Sequence, residues 1–308
     1  MLKKRNTIIH IGYPKTASSW LQNQLFIRIS NYRINSSSQI KEDFILQNSL
    51  TINYKTLKDK YTAFEKPFLI SHELLVGGMI HMGGINGILT REFANRLYTV
   101  FPDAQIILFV RNQPDMIASA YNQYLRGGGN YSINKYLYQN NFKAFNKYFF
   151  FSFDYLKFDI TIDFYKKLFG KDKVFVFLYE EFKENPKIFI ENLIKTFNLD
   201  VDLSAIDFTP QNTSFRRGLI PIIKFSNILF RRAVVYKFNL FNFNRLHKKV
   251  KSVSDKLNKF PIFGSIKTSK ELLGKKNYEF IWDYYKKSNS ELIKKHNLHK
   301  IEKYNYPL

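Results

Sequence analysis

The sequence predicts an α/β chain: a central parallel sheet covered by helices on both faces, followed by a basic helical extension. Three observations carry this. Over the first two hundred residues, short β-branched runs alternate with segments whose apolar residues recur at three-to-four spacing. The runs are continuously apolar, as strands buried on both faces must be. After about Gly218 the strand signals vanish and the chain reads as helical, basic and aromatic.

The strands fall at residues 7–11, 67–71, 105–110 and 173–178, each short and rich in Ile, Val, Leu or Phe. Helices are expected at 18–29, 90–101, 114–125, 155–169 and 186–197, where apolar residues mark one face. Phe169-Gly170 reads as a helix stop and Asn185-Pro186 as a helix start. Pro261 and Gly264 mark a break in the extension. Residues 32–65 and 127–154 read as loops that shape an acceptor pocket. At 308 residues and 36.7 kDa the chain fits one domain, 1–308, with an α/β core at 1–217 and the extension at 218–308.

Composition narrows the function classes. With 31 Phe, 20 Tyr and 45% hydrophobic residues, a disordered or collagen-like chain is excluded. Zero Cys removes disulfides, thiolate catalysis and cysteine-held zinc or iron–sulfur centres. The formal charge of +23 invites a nucleic-acid or anionic-surface partner, but 36 of the 48 cations are Lys in a chain rich in Asn, Ile and Phe, the pattern of A/T-rich coding. The excess is regional, for residues 211–308 hold 22 basic and six acidic residues. The apolar stretch at the N-terminus is too short for a signal peptide, no window reads as a membrane span, and a cytoplasmic protein is expected.

Two strand–turn–helix segments carry chemistry. The first, Ile8-Ile9-His10-Ile11-Gly12-Tyr13-Pro14-Lys15-Thr16-Ala17-Ser18-Ser19-Trp20-Leu21, outlines an anion site. Loop amides and a helix start present unpaired N–H donors, Lys15 adds a charge, and the hydroxyls add donors. It lacks the second glycine of a nucleoside-triphosphate loop and an acidic strand end for Mg²⁺. In the second, strand 105–110 runs into Arg111-Asn112-Gln113-Pro114-Asp115-Met116-Ile117-Ala118-Ser119. A guanidinium at a strand end and a serine two helical turns on both face the crevice of a parallel sheet, a geometry suited to phosphate.

These segments resemble the sulfotransferases that use 3′-phosphoadenosine 5′-phosphosulfate (PAPS). The family's first loop reads G-x-P-K-[TS]-G-[TS]-[TS]-[WY]-L, and residues 12–21 follow it except that Ala17 replaces the common glycine. That replacement suggests a backbone with no need for positive φ there. The resemblance implies a P-loop-NTPase-like three-layer fold in which Pro14, Lys15, Thr16, Ala17, Ser18, Ser19 and Trp20 grip the 5′-phosphosulfate. It implies that Arg111 and Ser119 bind the 3′-phosphate, with Gln113 either an insertion before the proline or, with Asn112, part of an R-N-x-P variant. A late segment, Ser214, Arg216, Arg217 and Gly218, resembles the triplet that returns to the 3′-phosphate and ribose. Tyr179-Glu180-Glu181-Phe182 and the tail with Asn289, Leu292 and Tyr304-Asn305-Tyr306-Pro307 extend the likeness over nearly the whole chain.

The resemblance implies in-line sulfuryl transfer from PAPS to a hydroxyl or amine, with adenosine 3′,5′-bisphosphate (PAP) leaving and no metal required. Lys15 would neutralise the leaving group, and a second residue would take the acceptor proton. Two candidates for the base follow strand 67–71, Glu73 and His72, with Glu73 preferred. If the strand continued that far, Ser71 and Glu73 would share one side and His72 the other. His81, His247, His296 and His299 form no metal-ligand pattern. The implied acceptor is a glycan or glycolipid precursor of a bacterial cell, and nucleic acid is not an expected partner. Arg217, Lys224, Arg231, Arg245 and Lys249 form one stripe if 218–251 is helical, with Ile223, Phe230, Val234 and Phe241 elsewhere around the axis. Such a helix would ride on an anionic membrane at the inner surface, face a charged acceptor, or pack with a solvated face. A nucleotide kinase, or a non-catalytic binder of anionic surfaces or nucleic acid, stays open as the alternative.

Overall fold

A computed structural model describes residues 6–78, 86–138, 151–209, 214–229 and 244–308. Five strands, β1 (Ile8–His10), β2 (Arg33–Ile34), β3 (Phe68–Ser71), β4 (Gln105–Val110) and β5 (Val174–Leu178), form one parallel sheet in the order β2-β3-β1-β4-β5. Ile8 of β1 is level with Leu69 of β3 and Gln105 of β4. The four expected strands are present. The two-residue edge strand β2 is too short to leave a sequence signature.

Strand side chains alternate between two apolar layers, as the period of two requires. Ile9, Ile70, Ile106, Leu108 and Val110 face one layer, while Ile8, Leu69, Ile107 and Phe109 face the other. The second layer is covered by the helical segment after β1, which starts as α1 (Ser18–Trp20), passes through a π turn (Leu21–Leu25) and ends in a 3-10 turn (Phe26–Arg28). Residues 32–65, expected as loop, instead hold β2, α2 (Ser37–Ile40) with a π turn (Lys41–Ile45), and α3 (Tyr54–Thr62). Buried Asp43 pins them by accepting from Lys60 Nζ at 2.8 Å and Tyr61 Oη at 2.7 Å. Such short pieces, held by one polar tie, carry little periodicity.

The first layer is covered by α4 (Thr90–Val100), α5 (Gln113–Arg126), α6 (Ile133–Leu137) and α7 (Phe158–Phe169). After β5 come α8 (Tyr179–Glu184) and α9 (Pro186–Phe197), the latter on the second layer. Gly170, at φ 102°, ends α7, and the Asn185 side chain caps α9 by accepting from the Ile188 N–H at 3.2 Å.

The extension holds α10 (Leu219–Leu229), α11 (Asn244–Leu257), α12 (Ser269–Leu273) and α13 (Lys275–His296). Ile281, Tyr285 and Leu292 of α13 join the same apolar layer as Ile9, so this part shares the core. Of the expected basic stripe, Arg231 lies outside the described residues, as do Phe230, Val234 and Phe241. Lys224 sits on α10 but Arg245 and Lys249 sit on α11. No described helix is long and apolar enough to cross a membrane.

Candidate active site

β1 leads to β2 and β3 on one side of the sheet, whereas β4 and β5 lie on the other, so the strand order reverses between β1 and β4. Their following helices depart to opposite layers, which opens a crevice at the carboxyl ends of these two strands. The two motif segments meet there. Arg111, at the end of β4, donates from Nη1 to the Lys15 carbonyl at 2.8 Å and lies 4.4 Å over the Tyr179 ring.

The loop after β1 is closed from within. Thr16 Oγ1 donates to the Tyr13 carbonyl at 2.6 Å, and Tyr13, itself buried, donates from Oη to Thr161 Oγ1 at 2.8 Å. Lys15 and Ala17 both adopt left-handed backbone, with φ of 69° and 64°. The expectation for Ala17 is thereby corrected. The chain must turn out of the strand and enter α1 within a few residues, and alanine takes the positive φ at a cost of about 1 kcal/mol. Such strain concentrates where a backbone must point its N–H groups at a ligand. Gly12 is required by close approach instead, because a Cβ there would lie 2.7 Å from Ser18 Oγ and 2.9 Å from His10 Nε2.

Lys15 Nζ reaches Gln123 Oε1 of α5 at 3.4 Å. Burial pushes the Lys15 ammonium down to about 8, the Arg111 and Arg126 cations push the same way, and the Glu73 carboxylate opposes them. Four charged groups therefore share one field around the loop. Arg126 is the one no motif flags. Its signal was helical spacing, since Ser119, Gln123 and Arg126 fall on one face of α5 at i, i+4 and i+7. Arg126 is ion-paired with Asp255 of α11 and lies 4.3 Å over the Phe215 ring. Ser119 is half-buried, and its hydroxyl has no hydrogen-bond partner among the described residues.

The inserted Gln113 is the first residue of α5, with Pro114 second and Asn112 as N-cap, accepting from the Asp115 N–H at 3.2 Å. Gln113 is fully buried and donates to Asn289 Oδ1 at 2.7 Å, while Asn289 donates to the Pro307 carbonyl at 2.9 Å. Glu180, whose carboxyl is raised by burial, accepts from the Asn112 N–H at 2.9 Å and from Tyr306 Oη at 3.0 Å. The tail thus braces the strand end that presents Arg111.

β3 ends at Ser71, so strand alternation does not reach the base candidates. His72 caps a 3-10 turn, Glu73–Val76, and its Nδ1 accepts from the Leu74 N–H at 3.1 Å. His72 is buried, whereas the Glu73 carboxylate is half-exposed and 4.0 Å from His72 Nδ1. Ser18 is buried and Ser19 exposed. Trp20 is a packing residue, against Phe182 and Phe208, with its indole N–H donated to the Asp207 carbonyl at 3.2 Å.

The late segment is engaged elsewhere. Arg216 donates to the carbonyls of Asn258 and Gly264 at 2.7 Å, Arg217 is ion-paired with Glu271, and Gly218 N–H donates to the Phe263 carbonyl at 2.9 Å. The Ser214 carbonyl accepts from Asn258 Nδ2 at 2.9 Å. Its link to the loop runs through Phe215 under Arg126. Residues 211–213 and His81 lie outside the described residues. Lys248, Lys251, Ser252, Asp255, Lys256 and Lys259 line an open, shallow cleft of about 400 Å³. Among the described residues no group of three His, Asp or Glu is placed to hold a metal ion.

Lys15, Arg111 and Arg126 beside a strained loop with donor amides suit a doubly anionic nucleotide. No family model and no curated protein matches the chain. Solved structures resemble it, among them two sulfotransferases. A sulfotransferase from Alicyclobacillus acidocaldarius is 16% identical over 73% of this chain and 93% of its own, with a TM-score of 0.47. Mouse sulfotransferase SULT7A1, crystallised with PAP, is 16% identical over 97% of this chain and 90% of its own, with a TM-score of 0.44.

Proposed function

We propose that the chain is a PAPS-dependent sulfotransferase that modifies a hydroxyl or amine of a glycan or glycolipid precursor. One observation carries this: Arg111, on the second motif, donates to the Lys15 carbonyl of the first, so two segments about a hundred residues apart form one cationic crevice. Bound PAPS supplies the sulfuryl group and leaves as PAP. Lys15, Thr16, Ser18, Ser19 and the loop amides hold the 5′ end, and Arg111 with Ser119 holds the 3′-phosphate. Half-buried Lys15 places a cation where charge grows on the leaving oxygen. Glu73 is the base, because a half-exposed carboxylate can meet an acceptor, whereas His72 already spends Nδ1 on the Leu74 N–H.

The lysine-lined cleft next to the Arg126–Asp255 pair supports an acceptor that carries negative charge. Exposed Ile222, Phe225 and Ile228 on α10 beside Lys224 support peripheral contact with an anionic membrane. Labelled PAPS incubated with a cell extract and the protein tests the activity. Transfer of label to an extract component, lost in Lys15→Ala, is expected; no transfer, or transfer indifferent to Lys15→Ala, contradicts the proposal.

A further inference from the structure

His10 ends β1 directly beneath the loop, fully buried, with its ring edge-on to Phe26 and Phe109 at centroid distances of 5.5 and 5.6 Å. Burial pushes its imidazolium down to about 3, so the ring is neutral and carries one proton. Its neighbours bear on which nitrogen has it. Gln22 donates from Nε2 to the Ser71 carbonyl at 3.2 Å, which identifies the amide nitrogen, and from the same group to Ser71 Oγ at 3.1 Å. Ser71 Oγ accepts from Gln22 and lies 2.8 Å from His10 Nδ1, which leaves its own proton free to go to Nδ1. In that arrangement Nδ1 is the acceptor and Nε2 bears the hydrogen. Nε2 is buried and has no hydrogen-bond partner among the described residues.

A buried ring nitrogen left without a partner is destabilising, so the direction in which it points is informative. The Cβ that Gly12 lacks would lie 2.9 Å from His10 Nε2 and 2.7 Å from Ser18 Oγ. Both groups thus border the same small space inside the loop. Ser18 is loosely held, since its hydroxyl reaches the Tyr13 carbonyl only at 3.5 Å, and Thr16 already donates to that carbonyl at 2.6 Å. A serine hydroxyl that accepts one hydrogen bond directs its own proton elsewhere.

We propose that His10 is a positioning residue whose Nε2–H donates to Ser18 Oγ when an anion occupies the loop, turning the Ser18 hydroxyl into a donor to that anion. The relay runs Gln22, Ser71, His10, Ser18. Glycine at 12 is what lets the ring and the hydroxyl meet. This inference rests on the loop's role in holding the 5′ end of the nucleotide.

Calorimetric titration of PAP into the full chain tests it, with His10→Gln, which keeps a donor near the Nε2 position, against His10→Asn, which does not. His10→Gln should bind within about twofold of wild type, and His10→Asn and Ser18→Ala should each weaken binding roughly tenfold. Adding His10→Asn to Ser18→Ala should cost nothing further, because both remove one interaction. Full affinity in His10→Asn, or additive losses in the double variant, overturns the inference while leaving the proposed function standing. Absence of PAP binding by wild type overturns both. A readout independent of the variants' folding is ¹⁵N NMR of the wild-type histidines: His10 should show hydrogen on Nε2 and none on Nδ1, with the Nε2–H signal moving on PAP binding. Hydrogen on Nδ1 would overturn the relay.

Discussion

Lys15 is where the sequence, the backbone and the electrostatics meet. Its ammonium sits near 8 in the fold against a usual 10.5, chiefly through burial. Between these values the unfolded chain holds the extra proton, so stability from this group rises with pH across that window and is least below about 8. An anion in the loop reverses the preference and favours the charged form. PAP binding should therefore take up a proton near pH 8 and weaken as pH rises past it; calorimetry in buffers of different ionisation enthalpy reads the uptake, and an affinity flat across that range would contradict it. Ala17 allows a second prediction. With φ at 64°, Ala17→Gly should stabilise the chain by about 1 kcal/mol in urea unfolding, whereas a loss would mean that the left-handed turn is not adopted. Lys15 and Arg111 were legible because each follows a continuous apolar strand. His10 was not, since its meaning comes from Ser71, sixty-one positions away, and from a glycine that leaves room for its edge.

At the scale of elements, the strand-to-helix junctions after β1 and β4 do most of the functional placement. Strands β3, β4 and β5 and helices α4, α5, α7 and α9 lie close to where periodicity puts them, because each buries an apolar run or stripe. Residues 32–65 escaped because β2 has two residues and the helical turns there depend on buried Asp43. The alternation that would have placed Glu73 and His72 on opposite sides does not reach them, because the strand stops at Ser71 and the His72 side chain caps a 3-10 turn. The register of α5 was settled by tertiary contact: Gln113 is buried against Asn289 of α13. Asn289→Ala should leave Gln113 Oε1 unpaired and its Nε2 only the long bond to the Leu156 carbonyl at 3.4 Å, cost about 2 kcal/mol in chemical denaturation, and loosen the segment that presents Arg111. If stability and PAP affinity both stayed at wild-type levels, the brace from the tail would have no role.

Over the whole molecule the charge of +23 separates into parts. Lys15, Arg111 and Arg126 surround the crevice, Arg216 and Arg217 hold the 258–271 segment, and Lys248, Lys251, Lys256 and Lys259 line the outer cleft. Vesicles carrying anionic lipid should sediment the protein at moderate salt, and Lys224→Glu should weaken that; failure of the wild type to sediment would remove the membrane contact. The sheet order, which brings β1 and β4 side by side, is what makes one site of two distant motifs. That union is the central claim, and the most direct measurement of it is titration of PAP in EDTA into wild type, Lys15→Ala and Arg111→Ala. Metal-independent binding to wild type, abolished by Lys15→Ala and weakened at least tenfold by Arg111→Ala, is the predicted result. No binding in EDTA, or binding that both variants leave intact, would contradict it.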